Sequence, residues 1–263
     1  MTSLDECCLQ TIRKTLFNGG APDLLKTWVD VSRQHIGETK HGNLNDKLLR
    51  EILGYAVVKY IHMHNGYVYG GFVASHFSGR VWNDIDICSP NCETKVLLKQ
   101  LTVFLCFLFN IHNRDIEIVF RKKSTYGVSM TLVFFENIFI CLDISSKIRV
   151  ADFPISVGSC LKLTASGAHF REELCENIEV GCWKLNDLIG MLRSSLDFKI
   201  VPCLPWSQKH RVYYWSRILK RESEGWKFMK ITKQEPLQPS TEELARGVPR
   251  LRERLATLRQ RPA

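Results

Sequence analysis

Between residues 46 and 88 the apolar residues change their spacing, and this restricts the chain to a fold that packs helices on a sheet. Leu48, Leu49, Ile52, Leu53, Ala56, Val57, Tyr60 and Ile61 recur at helical spacing. They predict an amphipathic helix that starts at a cap, Asn45 or Asp46, and runs to about His64. Gly66 ends it. Tyr67-Val68-Tyr69 is a short β-rich run stopped by Gly70-Gly71. Phe72 to Phe77 reads as the first turns of a helix closed by Ser78-Gly79. Asp84-Ile85-Asp86-Ile87-Cys88 then alternates polar and apolar, the sign of a strand with two unlike faces, and Ser89-Pro90 closes it.

The rest of the first half continues the pattern. Thr94 to Phe109 reads as a buried helix, and Ile116–Phe120, Val128–Phe135 and Ile138–Ser145 read as strands. The predicted fold class is α+β, with a mixed sheet flanked by helices and a helical, basic C-terminal region. Pro154 to Thr164 is expected to be irregular with one strand. Cys182–Leu196 and His210–Arg221 read as helices. Gln234 to Ser240 reads as a linker, and residues 241–262 as a terminal amphipathic helix. The expected organisation is an N-terminal helical extension (1–43), a catalytic core (44–150), a mostly helical lobe (151–233), and a linker with a basic tail (234–263).

Charge narrows the class of partner. The 263 residues hold 36 Lys and Arg against 27 Asp and Glu, a net +9. Residues 1–192 are balanced at 20 of each sign, so the excess lies in residues 193–263, with 16 basic and 7 acidic side chains. A concentrated positive field attracts phosphate-rich partners. Trp183, Trp206, Trp215, Trp226, Tyr213 and Tyr214 interleave with Lys209, Arg211, Arg217, Lys220 and Arg221. This composition suits base stacking, and the packing of a small aromatic lobe accounts for it more simply.

Several classes are excluded or disfavoured. The longest apolar stretch, Leu101 to Ile111, is about half the roughly 20 residues that a membrane span needs. The acidic start lacks a secretory pattern, so an intracellular location is expected. Cys106 and Cys141 sit in apolar runs and read as core residues, so the ten cysteines do not suggest a disulfide framework. Cys88 and Cys92, with His62 and His64, form at best a weak zinc set. There is no G-x-x-x-x-G-K-[ST] loop and no G-x-S-x-G elbow.

Asp84 and Asp86 carry the chemistry. Two apart on a strand, their carboxylates leave the same face, roughly 6–7 Å apart along the chain. Hard divalent cations take such oxygens together with water and phosphate. A D-x-D pair alone is more often an exposed acidic strand face. Here a strand ending in Gly-Gly precedes it, with twelve residues between Gly71 and Asp84. Glycines there allow close backbone approach, and the helix that follows presents free N–H groups suited to phosphate.

Tyr69-Gly70-Gly71 followed by Asn83-Asp84-Ile85-Asp86-Ile87 resembles the signature of the polymerase β-like nucleotidyltransferase superfamily. Gly71-Phe72-Val73-Ala74-Ser75 with Gly79-Arg80 is also similar to the branch that adds terminal nucleotides to tRNA. The resemblance spans about residues 45–146. It implies that Asp84 and Asp86 bind two Mg²⁺ (or Mn²⁺) ions holding the triphosphate of an NTP. It also implies a third carboxylate on a later strand that helps activate the attacking hydroxyl. Asp143, a lone acid in Phe139–Ser145, is the candidate, with Asp115 and Glu117 as rivals. Gly70, Gly71, Ser75 and Lys220 are the candidate nucleotide-binding residues. In the family a serine often stands at the place of Gly71.

The expected function is transfer of an NMP from an NTP to a hydroxyl acceptor, with release of pyrophosphate. RNA rather than DNA is the expected acceptor. The alternative is an inactive member of the same fold that acts as a nucleic-acid-binding or scaffold module.

Overall fold

The computed structural model of the chain describes residues 46–89, 93–124, 127–145, 156–171, 183–199, 208–230 and 237–247. The helices expected within 1–43, Cys92, Trp206 and residues 248–262 of the terminal helix lie outside the described residues. Two compact units are present. The first comprises residues 1–149 with 161–170, and the second 150–160 with 171–263.

The first unit begins with helix α1 (Asp46–Met63). Leu49, Leu53, Ala56, Val57, Tyr60 and Ile61 are buried along it, as the spacing predicts. Asn65 takes a left-handed φ of 56°, and the Gly66 N–H donates to Ile61 O at 2.9 Å, ending the helix. Next come β1 (Tyr67–Tyr69), α2 (Gly71–Ser78), β2 (Asp84–Cys88) and α3 (Thr94–Phe109). A short 3-10 turn (Asn113–Asp115) leads to β3 (Ile116–Ser124), β4 (Gly127–Phe134) and β5 (Ile138–Ser145).

These strands join β6 (Leu161–Thr164) and β7 (Gly167–Phe170) in one seven-stranded sheet, ordered β3-β4-β5-β2-β1-β6-β7. The β2–β5 pair is parallel, and the other pairs are antiparallel. The sheet is therefore mixed, as expected. Ile85, Ile87, Ile140, Leu142 and Ile144 line one face and are buried. Helix α1 packs on β5, β1 and α3, while α2 packs on β1, β2 and β6. The opposite face of β2 and β5 carries the residues between those apolar positions.

The second unit contains α4 (Val157–Cys160), α5 (Leu185–Arg193), β8 (Leu196–Lys199), α6 (Gln208–Ser223), β9 (Lys227–Lys230) and α7 (Thr241–Gly247). Three expectations need revision. The helix expected to reach Leu196 stops at Arg193, because Ser195 adopts a left-handed φ of 54° and Leu196 opens a strand. The one strand expected within Pro154–Thr164 is present as β6, but its partner β7 was not anticipated, and the two complete the first unit's sheet. Strands β8 and β9 were not anticipated, and they pair in parallel as a separate two-stranded sheet joined through α6.

Most of the described aromatic residues of this unit pack inward, whereas Tyr213 is exposed. Tyr214 and Ile218 form a buried cluster with Trp215 and Phe228, and Val212 and Leu244 form another with Trp215 and Leu219. Trp226 is buried beneath the Arg221 guanidinium, whose Cζ is 4.5 Å from the ring centroid. Among the described residues no helix is long and apolar enough to cross a membrane.

Candidate active site

The three aspartates singled out from the sequence share one patch of the sheet. Asp84 and Asp86 are two apart on β2, so their side chains leave the same face. Asp86 is the register partner of Asp143 on the parallel neighbour β5, and Asp84 is the partner of Cys141. Strand partners in register point to the same side, so Asp143 faces with Asp84 and Asp86 at the spacing of neighbouring strands, about 4.8 Å. All three are half-buried. The row continues on both sides. Asp86 pairs with Tyr69 of β1, and Asp143 pairs with Ser129 of β4.

The Gly70-Gly71 turn sits against this patch. Gly70 has φ 71°, a left-handed conformation in which a side chain is strained. A Cβ there would collide with Asp86 Oδ2, and a Cβ at Gly71 would stand 3.7 Å from Asp84 Oδ1. The first turn of α2 therefore starts beside the carboxylates. The backbone N–H groups of that turn have no intrahelical partner and favour negative charge.

Ser75 lies in the second turn of α2. It is buried, and its hydroxyl donates to Val81 O at 3.3 Å. A phosphate contact from Ser75 would require that bond to open. Lys220 stands in the last turn of α6, in the second unit, whereas the aspartates belong to the first. The rival Asp115 is engaged elsewhere, since its Oδ2 accepts the His112 N–H at 3.0 Å and caps the 3-10 turn. Glu117 is exposed on the edge strand β3, opposite Val133.

Residues with no sequence signature brace the patch. The Arg50 guanidinium donates to three carbonyls: Phe139 O at 3.1 Å, Trp82 O at 2.9 Å and Asn83 O at 3.0 Å. It thereby ties α1 to the start of β5 and to the approach to β2. The same group stacks on Trp82, with Cζ 3.8 Å from the ring centroid. Gly54 leaves the space that the Trp82 indole fills. Burial lowers the Arg50 pKa from its ordinary value, while the negative charges of Glu51 and Asp84, with Cys141, act to raise it. Arg50 thus also contributes positive potential at Asp84. Tyr55, Phe72 and Trp82 complete the support, with ring centroids 5.4 and 5.6 Å apart in successive pairs.

Three hard carboxylates on one face suit Mg²⁺ or Mn²⁺ in donor type. Among the described residues, however, no group of three or more His, Cys, Asp or Glu side chains is gathered to hold a metal ion. The fit thus lies in donor chemistry and shared face, not in a closed cluster. Among the described residues, His62, His64 and Cys88 of the weak zinc set are not gathered either. His62 Nε2 lies 2.9 Å from Leu163 O, the His64 ring packs at a tilt on Tyr60 with centroids 4.4 Å apart, and Cys88 is buried.

Comparison with known proteins gives limited context. No protein-family model and no curated protein sequence matches the chain. Among solved structures, it is similar to a CCA-adding enzyme in complex with CTP, at 14% identity and a TM-score of 0.40, covering 79% of this chain and 47% of that one. It is also similar to an apo form of a CCA-adding enzyme, at 14% identity and a TM-score of 0.41, covering 82% and 48%. The chain spans about half the length of these structures.

Proposed function

We propose that this chain is a metal-dependent nucleotidyltransferase that moves an NMP from an NTP to a hydroxyl acceptor, with RNA as the acceptor class. One observation carries the reading: Asp86 and Asp143 are register partners on adjacent parallel strands, Asp84 shares their face, and the Gly70-Gly71 turn opens a helix against them. The residues that would hold Mg²⁺ or Mn²⁺ are Asp84, Asp86 and Asp143. When bound, such ions supply positive charge that offsets the charge developing on the phosphates during displacement.

The acceptor hydroxyl oxygen attacks the α-phosphorus. A new O–P bond forms while the bond from the α-phosphorus to the α,β-bridging oxygen breaks, and pyrophosphate leaves with that electron pair. Asp143, on the strand beside the D-x-D pair, takes the hydroxyl proton. Gly70 and Gly71 let the α2 backbone approach the triphosphate, so that its free N–H groups can donate to phosphate oxygens. RNA as acceptor is supported by the positive excess of residues 193–263.

The test is label transfer from each NTP, in Mg²⁺ or Mn²⁺, to mixed RNA, tRNA and protein acceptors. The Asp84→Ala/Asp86→Ala double variant runs in parallel, and melting curves are recorded with and without NTP and metal. Transfer and NTP-dependent stabilisation in the wild type alone support the proposal. A folded wild type with neither transfer nor stabilisation supports the inactive nucleic-acid-binding reading instead.

A further inference from the structure

Helix α3 is apolar on nearly every side, and one of those sides is left open. From Val96 to Phe109 its only polar residues are Lys99, Gln100 and Thr102. A helix that is apolar all round is normally buried all round. The sequence accordingly reads it as buried, yet Val103 is 62% exposed. The sheet beneath it shows the same gap. Ile118 and Phe120 of β3 are register partners of Leu132 and Met130 on β4. Leu132 and Met130 are 1% and 0% exposed, whereas Phe120 is 62% exposed. Helical cover therefore stops between β4 and the edge strand β3. Between α3 and β3 lies a groove of about 510 Å³, whose lining includes Lys95, Lys99, Val103, Cys106, Ile118 and Phe120. Ile85, Leu142, Met130 and Phe120 form one row in register across the sheet. The groove thus lies on the face opposite Asp84, Asp86 and Asp143.

The charge around the groove is one-sided. Residues 94–124 hold six Lys and Arg against two acids. Of those acids, Asp115 caps the 3-10 turn, and Glu117 leaves the other face of β3 together with Val119. Lys95 and Lys99 are exposed, stand one helical turn apart on the rim, and join no ion pair among the described residues.

We propose that this groove docks an acidic amphipathic helix of a partner protein. A helix laid beside α3 extends the helical layer over β3. Its apolar stripe, at i, i+3, i+4 and i+7, covers Val103, Ile118 and Phe120. Carboxylates one turn apart on its border meet Lys95 and Lys99, which have the same spacing. The wall from Lys95 to Cys106 is about 17 Å long, room for about three helical turns. The positive rim selects against basic helices and speeds encounter with acidic ones. Because the carboxylate patch is on the other face of the sheet, a helix docked here does not cover it, and the proposal stands apart from nucleotidyl transfer.

The experiment follows the fluorescence anisotropy of two labelled peptides mixed with the full chain. Both are Ala-rich helices of about 18 residues with Leu at i, i+3, i+4 and i+7. One carries Glu at the flanking positions and the other carries Lys. Wild type, Lys95→Glu/Lys99→Glu, Phe120→Ser and Val119→Ser are compared, with melting curves as folding controls. Wild type is expected to bind the Glu peptide about tenfold or more tighter than the Lys peptide, and the charge-reversed variant to invert that order. Phe120→Ser is expected to weaken Glu-peptide binding about tenfold, while Val119→Ser, on the other face of the same strand, stays within about twofold of wild type. Val103→Ser takes the place of Phe120→Ser if that variant does not fold. No binding by the wild type, equal binding of the two peptides, or binding unchanged in Phe120→Ser would overturn the proposal. Sedimentation of the chain alone tests the other occupant. A wild-type dimer that Phe120→Ser dissociates would assign the groove to a second copy and overturn the partner helix.

Discussion

The carboxylate of Asp86 reaches into the space that a side chain at Gly70 would fill. The contact joins the end of β1 to the middle of β2, and it exists because residue 70 has no Cβ and holds φ at 71°. Gly70→Ala therefore meets two penalties, a strained backbone and a clash with Asp86 Oδ2. The expected outcome is a loss of about 1–3 kcal/mol in urea unfolding, together with a displaced Asp86 and a loss of NTP-dependent stabilisation. Gly190→Ala is the control, since a Cβ at this position in α5 meets nothing within 4 Å. It is expected to stabilise the chain by about 0.4–1 kcal/mol.

Arg50 should be irreplaceable by lysine. Its planar fork serves three carbonyl oxygens on two different segments and also stacks on Trp82. A lysine ammonium cannot reproduce that geometry. Arg50→Lys is expected to cost about 1.5–3 kcal/mol, measured by urea unfolding. Because Arg50 holds the approach to β2, the variant should also lose NTP-dependent stabilisation at temperatures where it remains folded. A variant as stable as wild type would show that the three bonds contribute little.

His62 should make the first unit sensitive to mild acid. Burial lowers its pKa from 6.5 to about 4, against the raising effect of its bond to Leu163 O. Above pH 6.5 the imidazole is neutral in both the folded and the unfolded chain, and its contribution is complete. Between pH 6.5 and 4 the unfolded chain binds the proton more readily, so stability falls as pH falls. The expected loss across this window is about 2–3 kcal/mol. Urea unfolding at pH 7.5 and pH 4.5 should show it, and His62→Gln should flatten the dependence.

Asp197 should produce the opposite slope in the second unit. Its carboxylate is 0% exposed. It accepts the Val157 N–H at 2.6 Å and the Phe198 N–H at 2.9 Å, with Arg221 Nε 3.4 Å away. Burial nevertheless pushes its pKa up from 3.8 to about 6, outweighing Arg221 and the two backbone donors. The folded chain therefore binds the proton more readily between pH 3.8 and 6, and this group's contribution falls as pH rises through that window. Arg221→Met leaves the carboxylate without its cation. The expected cost is about 3–5 kcal/mol at pH 8 and less at pH 5, where Asp197 is protonated. Adding Asp197→Asn to that variant should restore part of the stability at pH 8, as read by urea unfolding.

The local elements of the first unit were legible because its apolar spacing has few competing interpretations. Tyr67–Tyr69, Asp84–Cys88, Thr94–Phe109 and Ile138–Ser145 stand as the spacing predicts. Each is bounded by turn residues or carries a period that only one element type satisfies. The second unit was less legible. The left-handed Ser195 that ends α5 has no sequence marker. Strands β8 and β9 span four residues each, too short for alternation to distinguish a strand from a loop.

The sequence by itself determined which face of a strand Asp84 and Asp86 leave. The D-x-D alternation places Asp84 and Asp86 together whatever else the chain does, because successive side chains in a strand point to opposite sides. Tertiary structure alone decided which strand lies beside them. The parallel β2–β5 pairing joins residues 57 apart in sequence and brings Asp143 opposite Asp86. Pairing of β3 with β4 sets the exposed Phe120 beside the buried Met130, and the Arg50 fork fixes the approach to β2. Such contacts depend on long-range register and on a backbone carbonyl's position in space, and neither leaves a periodic trace in the amino-acid sequence.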